Sequence, residues 1–389
     1  MRPILLCVII LFNFTASQAQ CDGRYQEEVF NEVSVTTVTY SDVYDLDVDI
    51  YQPIGDVETN RPLLILAHGG SFVGGVKTNP TIVKLGNTFA KRGYVVASIT
   101  YRLMMISDFL DAYSALNGVA KAFSDSRAAI RYFRKSIAEG NPYNIDSNQI
   151  YFGGNSAGGA LALHVAFMQE EEVGDSLLLV ALNNNGGVNG NSGNEGYSSE
   201  VKGAISLAGG ITDLNFITES DFDKLLISCH GDKDRTVQYL CGPPFSYPFL
   251  PLPELCGGGA ILEHLEAKDF DKYHHLVFEG AGHVPWEFES ASEDAMIRFV
   301  SENLYNNLDC ANVIVSQKPY IFPNPTERMF TIESLKRVYN VIISNLKGGV
   351  ILRSKDSSKI NIEHLPQGIY VVEIHDENKK VTRTKVVKM

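Results

Sequence analysis

The chain has 389 residues, 44% of them hydrophobic and 20% charged, the balance of a globular protein long enough for one large domain and a smaller one. Its 33 Lys and Arg face 46 Asp and Glu, for a formal net charge of −13. No nucleic-acid partner is therefore expected, because phosphate binding needs a basic surface.

The first residues read as a secretory signal. Arg2 supplies the positive end, residues 4–14 form an apolar run too short to span a bilayer, and Ser17-Gln18-Ala19 offers small residues for cleavage. Residues 1–19 are expected to be removed. A lipid anchor on Cys21 is the rival reading, disfavoured by Gln20 at a position where such signals prefer a small residue.

Beyond the signal, strands and helices alternate. Residues 33–51 read as a β-hairpin, with TVTY and LDVDIY on either side of a turn at Ser41-Asp42. The apolar run 63–67 is a buried strand ending in Gly69-Gly70. A helix is expected over 81–92, a strand over 94–99, and a helix over 126–138 with Ala129, Ile130, Phe133 and Ile137 on one face. A short strand at 150–152 leads into GGNSAGG, and an apolar helix continues over 161–168. Strands follow at 203–207, 225–229 and 276–278, and a closing helix at 293–304. This pattern predicts a mostly parallel sheet covered on both faces by helices, with the site at the carboxyl ends of the strands. Residues 183–199, rich in Asn and Gly, are expected to form a loop, mobile and near the site if it follows a sheet strand.

The composition changes near 311–320, where Pro319, Pro323 and Pro325 mark a junction. Residues 319–389 hold 12 basic and 7 acidic side chains, +5, against 21 and 39, −18, in the rest. Short β-branched segments at 338–343, 350–352, 359–362, 369–374 and 381–387 predict a small antiparallel β-sandwich. The expected division is thus a signal at 1–19, a catalytic domain at 20–312 and a β-sandwich at 313–389.

Export implies an oxidising compartment, so the cysteines are candidate disulfides. Cys7 lies in the signal. Cys229 sits in the run Leu225-Leu226-Ile227-Ser228-Cys229 and reads as a buried free thiol. Cys241 and Cys256 bracket a Pro- and Gly-rich loop and are expected to pair. Cys21 and Cys310 would then tie the ends of the main domain together.

Gly154-Asn155-Ser156-Ala157-Gly158 matches G-x-S-x-G. A serine hydroxyl is a weak nucleophile that needs a base, a group orienting the base, and donors for the developing oxyanion. The setting of Ser156 between a strand and a helix makes it the candidate nucleophile. Of nine histidines, His283 follows a strand in the loop GAGHVPW and is the candidate base, while His68 and His164 read as structural. The acid lies among Asp234 and Asp232 after the 225–229 strand, with Asp213 as outsider. The oxyanion donors are expected from the N–H of Ala157 and from Gly70 and Ser71 after the 63–67 strand. No metal-ligand spacing, P-loop or dinucleotide fingerprint occurs, so neither a metal nor a cofactor is expected.

HGGSF at 68–72, YRL at 101–103, GNSAGG at 154–159, HGDKDRTV at 230–237 and GAGH at 280–283 together resemble the α/β-hydrolase fold, in its carboxylesterase and hormone-sensitive-lipase-like branches. The resemblance covers about residues 40–305 and implies a serine hydrolase cleaving carboxylic esters through an acyl-enzyme. It selects Asp234, the second aspartate of H-G-x-x-D-x-x-V, over Asp232. Ser71 replaces the third glycine of the usual HGGG motif, which leaves a backbone donor in place. The long interval between Asp234 and His283 holds the Cys241–Cys256 loop, a candidate wall for the substrate pocket. Met104, Met105, Phe109 and Leu110 are candidate pocket or core residues, and Trp286 is a candidate wall near His283. Feruloyl, acetyl-xylan, short-chain and polyester substrates are all compatible with these motifs. A serine peptidase of the prolyl-oligopeptidase type and an inactive surface protein of the same fold are the alternatives.

The tail, with YIFPNPT at 320–326, LPQGIYV at 365–371 and KKVTRTK at 379–385, resembles the C-terminal sorting domain of the Bacteroidetes type IX secretion system. That resemblance implies export through the periplasm to the medium or cell surface, with the secretion machinery as partner. A carbohydrate-binding module ranks second, because the tail has no tryptophan to stack on a sugar.

Overall fold

The computed structural model describes residues 23–308, except 170–172, 174–175, 248–249 and 251, and residues 320–389, except 323–325, 327, 334–337, 347, 356–358 and 377–380. The signal, the proline junction and the Cys21–Cys310 pairing lie outside the described residues. The chain separates into two compact units before and after Asn307.

The first unit opens with the expected hairpin, β1 (Val33–Ser41) and β2 (Leu46–Pro53), paired antiparallel. The apolar run becomes β3 (Arg61–Ala67), buried along its whole length. Helix α1 (Pro80–Lys91) follows, started by Pro80 at its first turn and by the Asn79 side chain, which accepts the Thr81 N–H at 3.0 Å. Strand β4 (Val95–Ile99) is again fully buried. Helix α2 (Ala112–Ala138) has 27 residues and begins well before the expected start at 126, capped by Asp111, whose carboxylate accepts the Ser114 N–H. Its first half mixes Ala, Ser, Asn117 and Gly118 with few large apolar residues, so its sequence shows only a faint helical stripe.

Strand β5 (Ile145–Asn155) runs straight into α3 (Ala157–Phe167), a helix buried on nearly every side. A short helix α4 (Leu177–Asn183), β6 (Gly203–Leu207) and β7 (Leu225–Gly231) come next. The Cys241–Cys256 disulfide forms as expected and joins two short paired strands, β8 (Cys241–Gly242) and β9 (Leu255–Cys256). Helix α5 (Gly258–Glu266), β10 (Tyr273–Phe278) and α6 (Ser290–Asn306) complete the unit. Cys229 is the buried free thiol, and burial pushes its pKa well up, away from reactive thiolate chemistry.

Eight strands form one sheet in the order β1-β2-β4-β3-β5-β6-β7-β10. The first two pairings, β1 with β2 and β2 with β4, are antiparallel; from β4 to β10 every pairing is parallel. This is the mostly parallel sheet predicted, and residues 68–72, Ser156, Asp234 and His283 leave it at the carboxyl ends of β3, β5, β7 and β10.

The Asn- and Gly-rich segment corrects one expectation. It follows α4, not a sheet strand, and it is fastened to β1 and α2. Arg131 donates to the carbonyls of Asn189 and Gly193, Ser192 donates to the Asp125 carboxylate at 2.6 Å, and Asn194 donates to Tyr40 O. Asp125 also pairs with Arg102 of the YRL motif at 2.8 Å. That motif therefore anchors loops around α2.

The second unit contains a three-stranded antiparallel sheet of β11 (Tyr320–Phe322), β12 (Met329–Glu333) and β15 (Lys359–Asn361). A four-stranded antiparallel sheet combines β13 (Val338–Ser344), β14 (Val350–Lys355), β16 (Gly368–Asp376) and β17 (Val381–Lys388). Phe330 and Ile332 of the first sheet share one core with Val341, Ile343, Val372 and Ile374 of the second, which makes the small all-β sandwich expected.

Candidate active site

Ser156 stands at a sharp turn between β5 and α3, with φ 55° and ψ −113°. A non-glycine residue at positive φ is strained, and close packing enforces it here. A Cβ on Gly154 would lie 2.5 Å from Ala67 O, and one on Gly158 would lie 2.1 Å from the same atom. Only glycine on both sides lets β3, β5 and α3 approach this closely. The turn is anchored by the Ser156 N–H donating to Leu207 O at 2.7 Å.

The HGGSF loop lies directly against this elbow. A Cβ on Gly69 would sit 3.0 Å from Asn155 O and 3.3 Å from Ser156 Cβ. Gly70, Ser71 and Phe72 all have positive φ, and a side chain on Gly70 would strike Gly74 O. The Ser71 and Ala157 N–H groups have no acceptor among the described residues. His68 is structural, as read from the sequence. It is buried, its ring stacks on Tyr101 at 4.2 Å, and its carbonyl accepts the Tyr101 hydroxyl at 2.8 Å.

His283 reaches back to Ser156 from the loop after β10, with Nε2 2.8 Å from Oγ. Its Nδ1 is 2.6 Å from Asp234 Oδ2. The Asp234 side chain is wholly buried, and its Oδ1 accepts the N–H groups of Thr236 at 2.7 Å and Val237 at 3.0 Å. Burial alone would raise its pKa, but hydrogen bonds from His230 and His283 outweigh burial and hold it well below the ordinary carboxylate value. Asp232 points elsewhere: its Oδ1 accepts the Gly280 N–H at 2.6 Å, which ties down the loop that carries His283. Asp213 caps a turn through Asn215. Neither aspartate is brought to His283.

Two supports were not read from the sequence. His230 is fully buried, and its Nε2 is 2.9 Å from Val237 O and 3.3 Å from Asp234 Oδ2, while its Nδ1 accepts the Gly258 N–H at 3.2 Å. That pattern places its proton on Nε2 and gives Asp234 a second donor. The only signal was the histidine of HGDKD, four residues before Asp234. The second support corrects the reading of Trp286. It is buried and does not wall the pocket; its Nε1 donates to Asn155 Oδ1 at 3.0 Å, and Asn155 Nδ2 donates to Glu287 Oε1 at 2.7 Å. The residue before Ser156 is thus clamped to the loop after His283.

A cavity of ≈ 120 Å³ opens at Ser156, Ser71 and Ala157 and runs among α2, α3 and α4. The disulfide loop closes one side with Pro244, Phe245, Leu252 and Leu255, and Phe245 meets Phe109 edge-on at 6.0 Å. Of the four candidate apolar residues after YRL, Met104 and Phe109 line this cavity, whereas Met105 and Leu110 are exposed.

The sheet order with a strand–serine–helix elbow defines an α/β-hydrolase. Residues 48–228 match the BD-FAE family, an esterase domain of that fold, and residues 320–388 match the Secretion system C-terminal sorting domain. The chain is therefore a carboxylic ester hydrolase carrying a type IX sorting tail, which directs it to the medium or the cell surface. The BD-FAE match ends before Asp234 and His283. A search of curated proteins gave no match. Among solved structures, the chain is similar to esterase 2 of the planctomycete Thermogutta terrifontis with butyrate bound, at 19% identity and a TM-score of 0.49, over 70% of this chain and 94% of that one. The same esterase phosphorylated by paraoxon gives 21% and 0.48 over 70% and 94%, and its apo form 20% and 0.48 over 72% and 96%.

Proposed function

We propose that the ester is cleaved by Ser156, His283 and Asp234 through an acyl-enzyme. His283 Nε2 takes the Ser156 proton as Oγ bonds to the acyl carbon. The carbonyl oxygen becomes an oxyanion held by the N–H groups of Ala157, Gly70 and Ser71. The C–O bond to the alcohol then breaks, and the imidazolium returns its proton to the leaving alkoxide. Water repeats the sequence, adding its oxygen to the acyl carbon and restoring the serine. Asp234 fixes the His283 tautomer and stabilises the imidazolium. His230 and the backbone at Thr236 and Val237 keep Asp234 ionised and oriented.

The observation that carries this reading is the unbroken hydrogen-bond chain from Ser156 Oγ through His283 to Asp234, at 2.8 and 2.6 Å. Replacing Ser156 with Ala is expected to lower kcat on p-nitrophenyl esters by at least about 10⁴-fold and to abolish labelling by a fluorophosphonate. Activity within tenfold of wild type would overturn the mechanism.

We also propose that the route out passes through the periplasm, started by the Arg2 signal and completed by the tail. In a host with the type IX machinery, deleting residues 320–389 is expected to hold the esterase behind the outer membrane. Undiminished appearance of the truncated chain in the medium would exclude this route.

A further inference from the structure

The cavity beside Ser156 has a direction. Its wall on α3 is formed by Ala157, Ala160, Leu161, His164 and, just past the helix end, Met168. These positions follow helical spacing down one face and cover about 16 Å of helix axis. The facing wall is a stripe of α2, with Leu116, Val119, Ala120 and Phe123, and Leu178 and Leu182 of α4 flank the deep end. The cavity thus leads from the nucleophile into the apolar space between three helices.

Its polar side chains besides Ser156 are Ser71, Thr236, His164 and Thr212. Ser71 and Thr236 belong to the loops around the nucleophile and Asp234. His164 and Thr212 lie deeper, and they satisfy each other. His164 Nδ1 donates to Ala160 O at 2.8 Å, and its Nε2 accepts the Thr212 hydroxyl at 2.9 Å and the Thr212 N–H at 3.3 Å. Neither ring nitrogen is left for a ligand. A phenolic hydroxyl carried down this channel would be buried without a partner, which costs roughly 10–100-fold in affinity. An alkyl chain loses nothing there and gains from every methylene removed from water.

We infer that the preferred substrates are esters of unbranched aliphatic acids of about six to eight carbons, with the acyl chain laid along α3 toward Met168. The upper length follows from volume. A dry 150 Å³ protein cavity accepts about one benzene, six carbons; this one is ≈ 120 Å³ and open at the serine end. Hydroxycinnamoyl and acetyl groups are then poor acyl donors, the first for its polar ring and the second for leaving the channel unfilled. The inference rests on the proposed serine mechanism.

The experiment is a kcat/KM series on p-nitrophenyl acetate, butyrate, hexanoate, octanoate, dodecanoate and ferulate, with active sites counted by fluorophosphonate titration. The expected result is a rise of up to about fourfold per methylene from acetate, a maximum at hexanoate or octanoate, and ferulate at least tenfold below it. Narrowing the deep end with Leu182→Trp, or with Leu178→Trp should the first not fold, is expected to lower the octanoate-to-acetate ratio at least tenfold. A maximum at acetate, ferulate equal to hexanoate, or a ratio unchanged in a titratable variant overturns the inference. A wild-type protein that hydrolyses these esters, titrates fully and shows such a profile leaves the serine mechanism standing. One that the fluorophosphonate does not label removes both.

Discussion

The polar end of the site and its apolar channel obtain their geometry from different parts of the fold. Ser156, Asp234 and His283 leave the carboxyl ends of β5, β7 and β10, where a parallel sheet fixes each position through its backbone ladder. The channel is walled by side chains on α2, α3 and α4 and by the disulfide loop. Its shape depends on which residues fill helix faces, not on where a strand stops. In the polar end a small displacement breaks a hydrogen bond and the chemistry with it. In the channel a change of one side chain alters length or width while the hydrogen bonds at the serine remain. One region accordingly governs whether an ester is cleaved, and the other which ester is cleaved.

The largest effect that separates the two within the polar end is at the acid. Asp234→Asn is expected to lower kcat by about 10³- to 10⁴-fold on every acyl length alike, because the amide favours the wrong His283 tautomer. Asp232→Asn, two residues away and bonded to Gly280, is expected to cost less than tenfold. Stopped-flow or steady-state kinetics on acetate and hexanoate esters check both. A loss at Asp234 that varies strongly with acyl length would mean the two regions are not separable. The chain-length series and the Leu182→Trp ratio approach the same division from the channel side, with effects of tens- to hundreds-fold.

The same division explains what was legible in the sequence. Strand runs such as Leu63-Leu64-Ile65-Leu66 and the turn GGNSAGG carry their geometry locally, so the elbow, the HGGSF loop and the order of Ser156, Asp234 and His283 were readable. Between Asp234 and Asp232 the residues alone did not choose; the choice came from the family pattern, and only Asp234 is brought to His283. The channel was not readable. The first half of α2 is rich in Ala and small polar residues, and α4 is only seven residues long, too short to show a period. The clamp from Asn155 to Trp286 and Glu287 spans more than 130 positions and leaves no local signal. The loop 183–199 misled for the reverse reason: Asn and Gly signal irregular backbone, but not the arginine and serine side chains that fasten it.

The smallest effect concerns protonation, and the two regions differ in sign. Asp234 has its pKa lowered, so the stability it contributes is present above its unfolded value near 3.9 and is lost as pH falls through the folded value. His164, at the deep end of the channel, also has its pKa lowered, here by burial, with the Ala160 carbonyl opposing. For a histidine this means that the unfolded chain takes up the proton first. Stability therefore starts to fall as pH drops below about 6.5, at a limiting slope of about 1.4 kcal/mol per pH unit. Between pH 6.5 and 4 the channel histidine loses stability while the ionised Asp234 does not. Burial lowers the pKa of His68, His274 and His275 too, so one substitution removes only part of the slope. In urea denaturation across pH 4–7, His164→Met is expected to be less stable than wild type at pH 7, because Thr212 loses its acceptor, yet to show a flatter decline toward pH 4. An unchanged slope would place the His164 proton in the folded channel, and the deep end would then have to be counted with the polar region rather than against it.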